Sequence, residues 1–427
     1  MSRLLITSFL FILLMSLSLC AQGNSLDSIN KLIELSKNKD NSPESRLEYA
    51  LKSSEMAKAS KNDSIVLVAH RNLSLVYFNN EKYDDYTDIN RSNYQLAQKL
   101  QDSGAITIAA SNLGSLYKFY EKNDSSYYFY SKALKFYKKN EVSEAKATAL
   151  LYLADIQEIE KIYISAEETA IKSILILNKL PETQNILDKL WNAYNLLGIV
   201  SRELGNYEKS IEYYNKSNEY AKRIDDGFLN EVYCINNKAY VYRQMGDFEK
   251  AIELYRSLLP LKSKYEEADP TFYATIIGNI ADTQLESGDY EYDNVRNKFK
   301  EAYTIGVKLD NDIVMMNNAI DLSKLYKKIN QKDSVGKYAN KALEIANAVS
   351  ANEVRQEALL ILADISEGDK GKLYLKEHIK LTDSLLNIER NVRNKFARIE
   401  FDSDQLEAEN EKISKENLYL LILSIGL

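Results

Sequence analysis

From Asn192 to Ser217 the chain alternates large and very small residues at helical spacing: Tyr194, Leu197 and Gly198, then Gly205-Asn206, then Tyr207, Ser210, Tyr214 and Ser217. Apolar positions recurring every three or four residues predict amphipathic helices. The Gly-Asn pair between them predicts a chain reversal, because Gly takes left-handed backbone angles without steric cost and Asn tolerates them. Two antiparallel helices therefore cross closely at Gly198 and Ser210, with Leu197, Tyr207 and Tyr214 filling the space around the crossing.

The pattern recurs. The next unit has Ala239, Tyr242, Gly246, Phe248, Ala251, Tyr255 and Leu258, and the one after it Ile280, Ala281, Gly288, Tyr290, Phe299 and Ala302. Upstream stand Leu73, Ser74 and Tyr77, with a turn from Asn79 to Lys82 and then Tyr83; Leu113, Gly114 and Tyr117 with Ser126, Tyr130 and Ala133; and Leu153 and Ala154 with Ala166, Ala170 and Ser173. Downstream come Leu322, Ser323, Tyr326, Val335, Ala339 and Ala342, then a shortened unit at Leu362-Ala363 that turns at Gly368-Asp369. A degenerate first unit spans Leu26 to Asp63; its second helix carries Leu47, Ala50, Leu51, Ser54 and Ala57 and is closed by Asn62-Asp63. About nine units at a spacing of about 40 residues predict an all-α solenoid over residues 25–388, one elongated array held by contacts between neighbours.

After Lys380 the period changes. Leu385, Val392, Ile399, Leu406 and Ile413 recur every seven residues, while the partner positions decay from Leu381 and Ile388 to Lys395, Asp402, Glu409 and Glu416. A coiled coil wants both seams apolar, so residues 389–416 read as a helical linker that pairs weakly with a second copy, giving a homodimer. Residues 417–427 are apolar, about half the ~20 residues of a membrane span. They read as the start of a transmembrane helix cut off inside the span. At the other end, Arg3 followed by an apolar run from Leu4 to Leu19 and small residues near Ala21 reads as an export signal cleaved after residue 21. A second reading makes Cys20 a lipoprotein cysteine; a third leaves the leader as an uncleaved anchor.

Composition removes whole classes of function. A formal charge of −7 argues against nucleic acid as partner. Cys20 and Cys234 leave no internal disulfide in the mature chain, and Cys234 reads as a small buried packing residue. Two distant histidines, His70 and His378, support neither a zinc site nor a nucleophile–histidine pair. No catalytic motif and no cofactor site is legible.

The spacing just described resembles the tetratricopeptide repeat, a superhelical solenoid in which the first helix of each pair lines the concave surface. The resemblance implies exposed inner positions at two, five, nine, twelve and thirteen of each unit. These are Asn192, Asn195, Ile199, Arg202 and Glu203 in the unit around Gly198, and Tyr233, Asn236, Tyr240, Arg243 and Gln244 in the next. Asn at five and Arg at twelve repeat, and Lys118 and Lys327 share position twelve, with Lys324 and Lys328 beside the latter. Asn195, Arg202, Asn236, Tyr240, Arg243, Lys118 and Lys327 therefore form a candidate clamp for an extended peptide or a carboxylate. Asn72, Asn112, Asn237 and Asn279 share position six and read as structural, bonding to neighbouring backbone.

Leader, array and the segment His378 to Asn417, above all RNKFARIEFDSDQ (393–405), are together similar to the extracytoplasmic region of bacterial sensor histidine kinases. That resemblance implies a periplasmic sensor and protein-interaction module of a membrane-bound signalling protein, with a protein or peptide partner in the cell envelope. Two readings compete with it: a truncated histidine kinase, or a related receptor with a cytoplasmic DNA-binding domain; and a free-standing envelope scaffold or lipoprotein.

Overall fold

From Asp63 onward, every turn between paired helices puts one residue in the left-handed region. A computed structural model describes residues 26–138 and 140–425, with side chains beyond residue 399 described only for Phe401, Lys412 and Glu416. The expected leader 1–21 with Cys20, residues 426–427, and the side chains of Leu406 and Ile413 lie outside the described residues.

The described backbone is helical and contains no strand. The pairs are α1 (residues 26–37) with α2 (Pro43–Ala59), α3 (Asp63–Asn79) with α4 (Tyr83–Lys99), α5 (Ser103–Phe119) with α6 (Asn123–Phe136), α7 (Glu144–Ile159) with α8 (Tyr163–Leu177), and α9 (Gln184–Glu203) with α10 (Tyr207–Ala221). They continue with α11 (Phe228–Gln244) and α12 (Phe248–Leu258), a short α13 (Lys262–Tyr265), α14 (Phe272–Ser287) with α15 (Tyr292–Lys308), α16 (Asp312–Lys328) with α17 (Lys332–Ala348), and α18 (Asn352–Ile365) with α19 (Gly368–Ile425). Contacts divide the chain into two units: residues up to Glu141 together with those from Phe396 onward, and Val142–Lys395. In the second unit α7, α9, α11, α14, α16 and α18 each touch the next of the series, so the first helices share one face.

The turns explain the repeat. Gly205, Gly246 and Gly288 have φ of 77°, 82° and 76°, and the same place is held by Glu81, Glu121, Lys161 and Asn330 at 57°, 54°, 59° and 55°. Beyond the left-handed residue, the next N–H reaches back to a carbonyl five residues earlier: Asn206 to Ser201 at 2.8 Å, Asp247 to Tyr242 at 2.9 Å, Lys122 to Tyr117 at 2.8 Å. This satisfies carbonyls that the helix end would otherwise leave open.

The expected close crossing is present. A Cβ on Gly198 would sit 2.6 Å from the Tyr214 ring, and one on Gly114 would sit 3.0 Å from Tyr130. Across each crossing a serine donates to the glycine carbonyl, Ser210 to Gly198 and Ser126 to Gly114, both at 2.7 Å. Cys234 is buried and its thiol lies 3.3 Å from Ser217 Oγ, as a packing residue should be.

Some expectations need correction. Leu51 does not join the core but is 39% exposed. Asn62 does not close α2; its side chain accepts from the N–H groups of Ser64 and Ile65 and so starts α3. α19 runs unbroken for 58 residues, from the last repeat through the expected linker. Among the described residues no helix is long and apolar enough to cross a membrane.

Left-handed backbone costs an ordinary residue ~1–2 kcal/mol, against ~0.5–1 kcal/mol for the extra entropy glycine loses on folding. Glu121→Gly and Asn330→Gly should therefore stabilise slightly, by up to ~1 kcal/mol, while Gly205→Ala should cost ~1 kcal/mol although nothing crowds its Cβ. Urea unfolding of the three variants checks this; equal effects of opposite substitutions at these sites would remove the turn-strain account.

Candidate functional site on the inner helix face

The first helices of the second unit bring their position-five and position-six amides together. Asn237 on α11 donates to Asn195 on α9 at 3.1 Å, Asn279 on α14 donates to Asn236 on α11 at 3.1 Å, and Asn236 donates to Asn237 at 3.4 Å. Four carboxamides thus link three successive helices. The position-six asparagines are structural, but their partners here are side chains of the preceding first helix rather than backbone. In the first unit Asn112 instead donates to Asn90 of α4, the second helix of the preceding pair, at 2.9 Å.

Beside the amides runs a chain of charges. Arg202 pairs with Glu203 at 2.6 Å and stands 4.9 Å from the Tyr240 ring centroid, while Arg243 lies 5.4 Å from the same ring. Arg243 is held by both oxygens of Glu286, at 2.7 and 2.8 Å, and by Asp282 at 2.6 Å. On α16, Lys324 bridges Asp321 at 3.1 Å and Glu357 of α18 at 2.8 Å, and Lys327 pairs with Asp364 at 2.8 Å. Lys118 is half-buried on α5 and belongs to the first unit.

The structure therefore brings Asn195, Arg202, Asn236, Tyr240 and Arg243 together. It also shows that the guanidinium groups already have carboxylate partners. Asp282, Glu286, Asp321 and Glu357 were not singled out in the sequence. The available signal was register: Asp321 occupies the sixth position, where other units carry Asn.

A cavity of about 540 Å³ lies against Asp282, Glu286, Lys324, Lys327, Lys328 and Glu357. Around it burial sets the protonation. Burial opposes the charge of Arg243, yet Glu286 and Asp282 outweigh it and hold its pKa above the ordinary value. Burial raises the Asp282 carboxyl, with Arg243 and Lys324 pulling the other way. Burial and then the Asp282 charge push Asp321 up to about 7. Asp282 and Asp321 together put an excess of negative charge in the buried part of this face, although across the cavity lining Lys324, Lys327 and Lys328 match Asp282, Glu286 and Glu357 in number. Raising one carboxyl relieves that excess.

The C-terminal helix joins the same unit. His378 Nδ1 lies 3.2 Å from the Gln356 carbonyl oxygen, and Gln356 donates to Thr382 Oγ1 at 2.8 Å. Leu385 and Val392 of the expected seam are half-buried. They line a cavity of about 560 Å³ with Ile159, Ile313 and Met316 of the same unit. The exposed apolar residues of α19 include Leu373, Leu375, Ile379, Leu386, Ile388 and Phe401, at 46% to 61%. Ile399 is half-buried.

A folded pKa near 7 lies above the ~3.9 of an unfolded Asp, so this group's contribution to stability is complete below pH ~4 and is lost as pH rises through ~7. Asp321→Asn should remove that loss: relative to the wild type, the variant should gain ~1–3 kcal/mol between pH 5 and pH 8. Urea unfolding at both pH values measures it, and a pH-independent difference would refute the assignment.

Residues 188–263 and 229–291 match the tetratricopeptide repeat family. No curated protein matches the chain. Among solved structures, the apo quorum sensor NprR from B. thuringiensis is 16% identical with a TM-score of 0.53, covering 75% of this chain and 86% of that one. Apo RapI is 15% identical with a TM-score of 0.52, covering 67% and 99%. A Rap protein complexed with competence and sporulation factor is 11% identical with a TM-score of 0.51, covering 86% and 98%. At these identities the likeness is one of fold.

Proposed function

Because residues 188–291 are tetratricopeptide repeats, we propose that the chain is a periplasmic protein-interaction and sensor module whose partner seats on the inner face of Val142–Lys395. In this reading the leader exports the array, and α19 carries the change toward the inner membrane. The carrying observation is that α19 is tied to the unit bearing that face, through Gln356, Thr382 and His378 and through Leu385 and Val392 against Ile313 and Met316. A partner that shifts α16 or α18 therefore acts on α19 directly. A factor-bound Rap protein and the quorum sensor NprR share the fold, which supports a partner-binding role.

The partner's polarity follows from the pairings. Arg243 spends Nε and Nη2 on Glu286 and Asp282, while the partly exposed carboxylates of Glu286 and Glu357 can accept from a basic side chain. A basic or amphipathic protein segment fits this face better than the carboxylate its arginines first suggest.

The test uses the immobilised chain and a Glu286→Lys/Glu357→Lys variant, each exposed to solubilised envelope proteins at about 0.15 M salt. A specific partner should be retained by the wild type and reduced about tenfold in the variant, as expected when charge complementarity is reversed. Adding that partner back should slow amide exchange in residues 385–395. Identical retention by both proteins, or unchanged exchange in that stretch, would count against the proposal.

A further inference from the structure

The second unit closes on itself between its first turn and its last helices. Lys161, in the turn between α7 and α8, donates to Glu353 at the start of α18 at 2.8 Å, although the two are 192 residues apart. Their side chains are 54% and 83% exposed, and an ion pair so exposed contributes little by itself. Both residues line the cavity of about 560 Å³, whose wall is apolar: Ile159 from the turn, Ile313 and Met316 of α16, and Leu385, Ile388 and Val392 of α19. Met316 is buried, whereas Ile159, Ile313 and Ile388 are 52%, 52% and 54% exposed. Apolar surface therefore stands open both on the turn and on the helices that face it.

The lining selects the kind of occupant. A helix is ~10 Å across and rises ~5.4 Å per turn, so the cavity takes little more than one turn of a partner helix. Its volume suits a small molecule, which buries apolar surface and is oriented by a few polar groups. The lining carboxylates Glu160, Glu353 and Glu389 outnumber Lys161, which opposes an anionic ligand. Each is already engaged, Glu353 by Lys161 and Glu389 by Arg393 at 2.5 Å, with Glu160 not free either, so none calls for a cation. The Asn317 amide also lines the cavity and has no partner among the described residues. It offers both a donor and an acceptor.

We propose that this cavity binds a small neutral molecule, apolar over most of its length and carrying one carbonyl or hydroxyl for Asn317. Its apolar body covers Ile159, Ile313, Met316 and the α19 residues, and so fixes the α7–α8 turn against α19. The site goes beyond the partner reading, because it shares no lining residue with the charged face around Glu286 and Glu357.

Prodan, a neutral naphthalene ketone whose emission moves to shorter wavelength in apolar surroundings, tests it on the full chain. Prodan should bind with that blue shift and be displaced by 1-decanol. Decanoate and decylammonium should displace it at least about tenfold less well, since a charge is costly to bury without a partner. Ile313→Glu and Ile388→Glu, at exposed positions, should each weaken binding about tenfold for the same reason. Lys161→Glu should weaken it too, and Lys161→Glu/Glu353→Lys should restore it. Leu75→Ser, in a separate apolar groove on α1, α3 and α5, should change nothing. Glu286→Lys/Glu357→Lys should also leave Prodan binding intact, so this site and the partner face fail separately. No blue shift, equal displacement by the three decyl compounds, or loss of binding with Leu75→Ser but not with Ile313→Glu would overturn the assignment.

Discussion

The close crossing of two helices within each pair is the constraint on which the rest of the molecule depends. At Gly198 the partner helix comes so near that a methyl group would enter the Tyr214 ring, and the Gly198 carbonyl still finds a donor because Ser210 lies across from it. The tyrosines that fill these crossings are almost wholly buried, and the hydroxyls of Tyr214 and Tyr255 have no hydrogen-bond partner among the described residues. An unsatisfied buried hydroxyl costs ~1–3 kcal/mol. Burying a ring of ~150–250 Å² at ~25 cal/mol per Å² contributes ~4–6 kcal/mol, so the ring prevails. Where a partner is in reach it is used: Tyr130 meets Ser115 at 2.7 Å.

Once that contact faces outward into the pair, the opposite side of each first helix must face inward. Positions five, six, nine and twelve then meet their counterparts about one repeat away, which is why Asn237 reaches Asn195 and Asn279 reaches Asn236. A side-chain amide suits this place because it donates and accepts at once, so identical residues can link one helix to the next. Replacing the amide by Asp321 in the α16 unit ends that series and begins the charged one through Lys324 and Glu357.

Most of the fold was legible because its signals are local. Small residues at Gly114 and Gly198, turn residues at Gly205, Gly246 and Gly288, and apolar spacing all act within one helix pair. The errors arose where local pattern competes with a neighbour. Asn62 looked like an end because Asn favours helix termini, but its side chain caps the start of α3. The heptad of Leu385 and Val392 measured only that one stripe of α19 is apolar; a stripe has the same period whether a second copy or Ile313 covers it. Site residues were legible as positions but not as chemistry. Arg243 was placed on the inner face correctly, yet its partners Asp282 and Glu286 lie about 40 residues on, in the next unit, where spacing within a repeat says nothing about them.

The distinction changes what such a face can select. A free arginine attracts carboxylates, but one whose Nε and Nη2 are already bonded to Glu286 and Asp282 offers its ring contact with Tyr240 and the partly exposed carboxylate of Glu286. The groove on α3 has the reverse balance, since Lys37 and Arg71 stand beside apolar side chains without a lining carboxylate. A net charge of −7 therefore describes neither surface. Discrimination between partners comes as much from the sign a surface repels as from the sign it attracts.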